Sequence, residues 1–238
     1  MEIRFHPRYP WAVLPRKLKI DVQAKEEEIR LLDEHFRWIR QNRSPEVCWP
    51  WRIAQETGWI IDSPVTVEME ALGDMEVYHS EPADGPLFQE ITGSSLAWGR
   101  PGDLEQTRHH IIARRGGWMR LYDFVSDQGW KSMFQPNGKG TIEWTLGFKV
   151  HIPPGYYLML MPYQPIPNLQ VETGFLDYKN LERMNAEYGM PIAVRPTGPV
   201  SIKRGQPVAK IMLLHPDSLR AQMKVSDEPF PAPQGGGE

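Results

Sequence analysis

A mainly β fold, a barrel or a sandwich with a short helical segment near its front, follows from three features of this chain. The first is the stretch from Thr141 to Ile152, where Ile142, Trp144, Leu146, Phe148, Val150 and Ile152 alternate with Glu143, Thr145, Gly147, Lys149 and His151. That period of two places successive side chains on opposite faces of a strand. The second is proline, 23 of 238 residues, about twice the usual share of about 5%, set between short apolar runs where it suits turns better than helices. The third is that helical periodicity is confined to the front of the chain, between about Val22 and Thr57.

Taken in order, residues 1–21 carry Pro7, Pro10 and Pro15 among apolar and basic residues and predict an extended N-terminal arm laid over the body. From Val22 to Gln41, Ile29, Leu32, Phe36 and Ile39 recur at three- and four-residue intervals, and Glu26 with Arg30 and Asp33 with Arg37 form helix-compatible pairs. A second, short helix is predicted from Pro50 to Thr57, with proline at its start and Gly58 as a left-handed stop. These two helices make residues 22–58 a helical segment packed on the β core, which spans 59–215.

Within that core, Trp59 to Ile61 and Val65 to Val67 read as strands around an Asp62-Ser63-Pro64 turn, followed by Met75 to His79, His110 to Arg114 and Trp118 to Phe124, with loops between 80 and 108. Thr141 to Ile152 reads as one long strand, turned by Pro153-Pro154-Gly155 into a hairpin with Tyr156 to Met161, whose nearly unbroken apolarity predicts burial on both faces. Leu169 to Phe175, Pro191 to Arg195, Val200 to Ile202 and Val208 to Leu214 complete the set. Residues 216–238, rich in proline and glycine toward their end, predict a mobile C-terminal tail.

Composition bounds the function. Hydrophobic residues at 40% and aromatic residues at 11% supply a packed core. A net charge of −3 offers no basic field to a phosphate backbone, so nucleic acid is not expected as a partner. The single cysteine, Cys48, excludes an internal disulfide and a multi-cysteine zinc site. The N-terminal residues lack the apolar core of a secretory signal, and no stretch reaches the ~20 apolar residues that span a bilayer, which predicts a cytoplasmic protein without a membrane partner.

Two resemblances enter in the second half of the chain. Ile152-Pro153-Pro154-Gly155-Tyr156-Tyr157, then Gly174-Phe175-Leu176-Asp177, then Val200-Ser201-Ile202-Lys203-Arg204-Gly205-Gln206-Pro207-Val208 resembles the skeleton of the dUTPase and dCTP-deaminase superfamily. The resemblance implies a β-clip barrel and a homo-oligomer, a trimer if the chain is dUTPase-like. It does not extend to that family's catalytic parts: Tyr163-Gln164-Pro165-Ile166-Pro167 stands in place of the Arg-Ser-small-Leu-Ala segment, and Asn180 in place of a tyrosine. The second resemblance covers about residues 45–215 and rests on Cys48-Trp49-Pro50-Trp51-Arg52, Gly58-Trp59, Gly138-Lys139-Gly140-Thr141-Ile142-Glu143-Trp144 and Val171-Glu172-Thr173. It is to a bacterial and phage family of unknown function.

The candidate site residues divide in two. Trp51, Trp144, Glu172, Asp177 and Tyr178 are candidate ligand-binding residues, the tryptophans as pocket walls and the two acids as carboxylates for acid–base work or for Mg²⁺. Set against this, an aspartate at such a turn commonly caps backbone N–H groups. His110, Asp123 and His151 form an alternative set for a divalent metal, although no His-x-His or His-x-Asp/Glu spacing joins them. Cys48 acts as a nucleophile only if a base lowers its pKa; otherwise it is a small buried residue. The Gly116-Gly117 and Gly138-x-Gly140 pairs lack a following helix and read as hairpin turns. The reading that best fits a β scaffold without a complete catalytic set is a soluble, non-catalytic binding or accessory protein for a small molecule or a protein. The alternative is an enzyme at the barrel mouth, either a divergent nucleotide hydrolase or a metal-dependent oxygenase.

Overall fold

The computed structural model describes residues 2–35, 48–72, 75–79, 96–101, 109–114, 118–138 and 140–222, and for 75–79, 96–101 and 109–114 it describes the backbone alone. In chain order the strands are β1 (Arg4–Pro7), β2 (Trp59–Asp62), β3 (Val67–Met69), β4 (Met75–His79), β5 (Leu96–Pro101), β6 (His109–Arg114), β7 (Asp123–Ser126), β8 (Gly129–Ser132), β9 (Phe134–Gly138), β10 (Thr141–Thr145), β11 (Phe148–His151), β12 (Tyr157–Pro162), β13 (Leu169–Val171), β14 (Gly174–Asp177), β15 (Pro191–Pro196), β16 (Val200–Ile202) and β17 (Pro207–Leu214). The helices are α1 (Val22–His35), α2 (Trp49–Glu56), α3 (Tyr178–Glu187) and α4 (Pro216–Arg220), with a 3-10 turn at Trp118–Tyr122. The fold is mainly β, as expected.

Two four-stranded antiparallel sheets carry the core, in the orders β13-β15-β10-β9 and β14-β12-β17-β2. Ile142, Trp144, Ile192 and Val194 of the first and Ile61, Leu158, Leu160 and Ile211 of the second belong to one buried cluster, so the two sheets bury their apolar faces against each other. Among the described residues no sheet closes on itself, which corrects the barrel expected over 59–215 in favour of open sheets. The edges show why. Edge strand β9 contains Pro136, which has no N–H to offer a further strand. Edge strand β14 runs straight into α3. The outer edge of β2 is occupied by the N-terminal arm, where Arg16 and Ile60 exchange backbone hydrogen bonds at 3.0 and 2.8 Å.

The alternating stretch keeps its buried face but not its continuity. Ile142, Trp144, Leu146, Phe148, Val150 and Ile152 are all buried, yet the strand breaks between β10 and β11, and β11 pairs with β1 instead of continuing along β15. Gly147 makes the break. Its φ is +80°, and a Cβ there would lie 2.4 Å from the Trp11 ring, so the arm packs where a side chain would otherwise stand. The expected hairpin with Tyr156–Met161 does not form either. Tyr156 N donates to Pro153 O across a turn with Gly155 at φ +83°, and this sends β12 into the other sheet between β14 and β17. There Leu158 and Leu160 are buried while Met159 and Met161 are half-buried, so the strand has one core face and not two.

Further expectations change. Leu169 to Phe175 is not one strand, because β13 and β14 belong to different sheets. Trp118 to Phe124 begins as a 3-10 turn, and only Asp123 onward is strand. Helix α3 was not anticipated, nor was β5 within the expected loops of 80–108 or α4 within the expected tail of 216–238; α1 and α2 were, although residues 36–41 of the longer helix lie outside the described residues. So do Gly116-Gly117 and the tail from Ser226, whereas Gly138 and Gly140 do turn β9 into β10.

Candidate functional site

Among the described residues, the sequence-derived candidates stand on different elements and meet different neighbours. Trp144 is fully buried, its ring 5.2 Å from that of Phe134, and its indole N–H has no hydrogen-bond partner among the described residues. Trp51 is half-buried on α2. Glu172 follows β13 and is engaged by neighbours on its own sheet: Arg195 Nη2 lies 3.0 Å from Oε1, and Gln170 Nε2 donates to Oε2 at 3.4 Å. Asp177 is the N-cap of α3 and accepts from the N–H of Asn180 at 2.7 Å, the capping role weighed against catalysis above. Tyr178, the first residue of that helix, packs against the core.

The alternative metal set stands on three strands, β6, β7 and β11. His151 ends β11, with Nδ1 3.1 Å from Glu182 Oε1 on α3 and its ring 5.7 Å from that of His6. Asp123 opens β7, where its Oδ1 is buried without a hydrogen-bond partner among the described residues. His110 lies on β6, in register with Tyr78 and Arg100, and its side chain is outside the described residues. Among the described residues no group of three His, Cys, Asp or Glu side chains converges. Cys48 is exposed at the start of α2 and was expected to be buried.

A different site emerges from local structure that the sequence did make visible. Pro50 near its first position favours the start of α2, and Gly58 at φ +82° turns it at once into β2. That junction leaves a cleft of about 550 Å³ between α2, the N-terminal arm and the Trp59 end of β2. Its walls are Ile3, Ile53, Trp59 and Leu213, and its charged groups are Glu2, Lys17 and Glu56. Lys17 Nζ rests 4.1 Å from the centroid of the Trp59 ring, a cation–π contact. Phe5 meets the same ring edge-on at 5.7 Å.

Lys210 on β17, in register with Ile60 of β2, is 5% exposed. Its ammonium donates to the carbonyl oxygens of Ala54 and Gln55, completing the C-terminal end of α2. Burial pushes this lysine below its ordinary pKa, and the charge of Lys17 acts in the same direction. Alongside, Arg16 Nε donates to Asp62 Oδ2 at 2.6 Å, a bond that raises the arginine further. On the outer face of α2, Trp49 and Ile53 are 64% and 43% exposed. Four residues apart on a helix, they form one apolar strip running into the cleft. Beside this site the sequence carries one signal, Lys210, a charge inside the apolar run Val208 to Leu214. That it meets the carbonyls of Ala54 and Gln55 could not be read, because only the fold brings α2 to β17.

No family model matches the chain, and no curated protein matches it. Among solved structures it is similar to the dUTPase of Staphylococcus bacteriophage 80alpha, solved as a point mutant, at 11% identity and a TM-score of 0.37 over 96% of this chain and 98% of that one. A likeness of that depth transfers neither residues nor activity. No helix among the described residues is long and apolar enough to cross a membrane.

Proposed function

We propose that the chain is a non-catalytic binding or accessory protein whose ligand occupies the cleft between α2, the N-terminal arm and Trp59. One observation supports this reading above the rest. The cleft has the volume of a small-molecule site, about 550 Å³ against a usual range of roughly 300–1,000 Å³, and within it Lys17 makes no ion pair among the described residues. Elsewhere three of the groups first suspected of chemistry are individually committed, Glu172 to Arg195, Asp177 to a helix N-cap and His151 to Glu182, whereas Asp123 Oδ1 is buried with no hydrogen-bond partner among the described residues.

A thermal-shift screen of the full chain against nucleotides, divalent metal ions, amino acids and organic acids tests the proposal, run in parallel on Ile53→Arg. Ile53 is exposed at the cleft wall, so arginine fills the cleft without disturbing the core. A stabilising compound whose effect disappears in the variant is expected, since a ligand that binds only the folded state raises its stability by mass action. Turnover of any compound in the panel overturns the non-catalytic reading in favour of an enzyme. Stabilisation that survives Ile53→Arg overturns the location.

A further inference from the structure

The N-terminal arm and the β7–β8 hairpin border a second cleft, of about 610 Å³, which Lys149 of β11 and Ala186 of α3 also line. Phe124 fixes the hairpin against the arm, its ring meeting those of Tyr9 and Trp11 at 4.8 and 5.0 Å. Three charged side chains line the cleft: Arg8, Asp127 and Lys149. Arg8 turns its guanidinium to the carbonyl oxygens of Asn185 and Glu187, 2.7 and 3.0 Å away, where the negative end of the α3 dipole offsets its charge. Asp127 lies at the two-residue tip of the hairpin, where an aspartate commonly accepts from the N–H groups of its own turn. Here the Ser126 hydroxyl does that, accepting from Gln128 N at 3.1 Å and donating to Gly129 O at 2.9 Å. On α3, Glu182 is held by His151 at 3.1 Å. Among the described residues, neither Asp127 nor Lys149 makes an ion pair or a side-chain hydrogen bond, and their charged ends stand more than 4.0 Å apart. The lining thus presents one ammonium and one carboxylate that nothing neutralises, beside the Gln128 carboxamide, which makes no side-chain hydrogen bond among the described residues either.

We infer that this cleft is a second ligand site and takes a zwitterion, a free α-amino acid with a polar side chain: its carboxylate on Lys149, its ammonium on Asp127 and its side chain beside Gln128. A zwitterion answers both charges of the lining. An anion without an ammonium leaves Asp127 facing its own sign, and a cation without a carboxylate does the same to Lys149. The volume falls within the roughly 300–1,000 Å³ usual for small-molecule sites. The site is separate from the cleft beside Trp59, and the two readings stand or fall independently.

The test is a matched series of L-glutamine, N-acetyl-L-glutamine and L-glutamine α-amide, titrated into the full chain while the backbone amide resonances of Asp127 to Gly129 are followed. The N-acetyl form lacks the ammonium and the α-amide lacks the carboxylate. Glutamine is expected to bind about fivefold more tightly than either, the most that one ion pair at a water-exposed wall contributes. Asp127→Asn should erase the difference between glutamine and its N-acetyl form, and Lys149→Met the difference between glutamine and its α-amide. Equal affinities across the series, a preference for either analogue, or differences that survive these substitutions overturn the zwitterion. If none of the three compounds moves those resonances at tens of millimolar, the site itself fails, while the reading of the cleft beside Trp59 is untouched. Ile53→Arg leaves this cleft as it is, so an amino acid that still stabilises that variant belongs here only if Asp127→Asn abolishes the effect.

Discussion

Gly58 shows how much a single position carries here. Its φ of +82° lies in the left-handed region, and a Cβ would stand 2.2 Å from the backbone oxygen of Ile211 and 2.8 Å from Met212 Cγ. The backbone conformation alone costs a non-glycine residue about 1–2 kcal/mol, and a clash with backbone cannot be relieved by a rotamer change. Gly58→Ala should lose at least about 2 kcal/mol in urea denaturation. Gly155 has nearly the same φ, +83°, with nothing within 4 Å of the added Cβ, so Gly155→Ala should lose only the backbone cost of about 1 kcal/mol. Equal losses would show that the α2–β2 junction yields. Lys210 makes the second residue-scale prediction. Its folded pKa lies below the unfolded value, so just under the ordinary lysine range the unfolded chain binds more protons than the folded one. Stability contributed by this group therefore rises as pH climbs through the folded pKa toward the unfolded one. Urea midpoints measured from pH 8 to pH 10.5 should rise more steeply in the wild type than in Lys210→Met. Parallel profiles would refute the assignment.

At the scale of elements, the N-terminal arm and the C-terminal tail make opposite predictions. The arm contributes β1 to β11, seats Trp11 against Gly147, and places the Arg8 guanidinium on the carbonyl oxygens of Asn185 and Glu187, 2.7 and 3.0 Å away, at the end of α3. The other edge of β11 is completed by the buried Asn185 side chain, whose Oδ1 accepts from Val150 N at 3.0 Å and whose Nδ2 donates to Val150 O at 2.7 Å. Removing residues 2–18 would thus strip one side of β11 and expose Phe148 and Val150, buried at present. A chain beginning at residue 19 should melt at least about 10 °C lower, or without a cooperative transition, by circular dichroism, given that each 1 kcal/mol moves a domain of this size by roughly 2–4 °C. Residues 226–238 carry Phe230 as their single large apolar side chain, so burial there cannot offset an ordering cost of ~1–2 kcal/mol per residue. Deleting them should leave the melting temperature within about 1–2 °C, and a larger loss would mean that Phe230 docks.

For the whole molecule, we propose, on the motif resemblance in the sequence alone, an assembly of three chains. Light scattering is expected to find that trimer, and a clean 27.5 kDa monomer would remove the expectation. The sequence by itself determined the β class, the positions of most strands, helices α1 and α2, and the buried face of Thr141 to Ile152, because period two, proline placement and capping residues act over a few neighbours. It also offered both readings of Asp177, and the structure contains the cap. It did not show that the long alternating stretch is two strands, since Gly147 breaks it to make room for Trp11, 136 positions earlier in the chain. Nor did it show that β12 leaves its expected partner for β14 and β17. Alternation reports which face is buried and says nothing about which strand lies alongside. The candidate site was illegible for the same reason. Trp51, Trp144, Glu172, Asp177 and Tyr178 were chosen by residue type, and types do not reveal that Trp144 is sealed in the core while Lys17 of the arm lies over the Trp59 ring. Local periodicity is written in the chain because its physics is local. The cleft exists only after antiparallel pairing has brought the arm, α2 and the last strand of the sheet to one place, and that is a property of the tertiary structure alone.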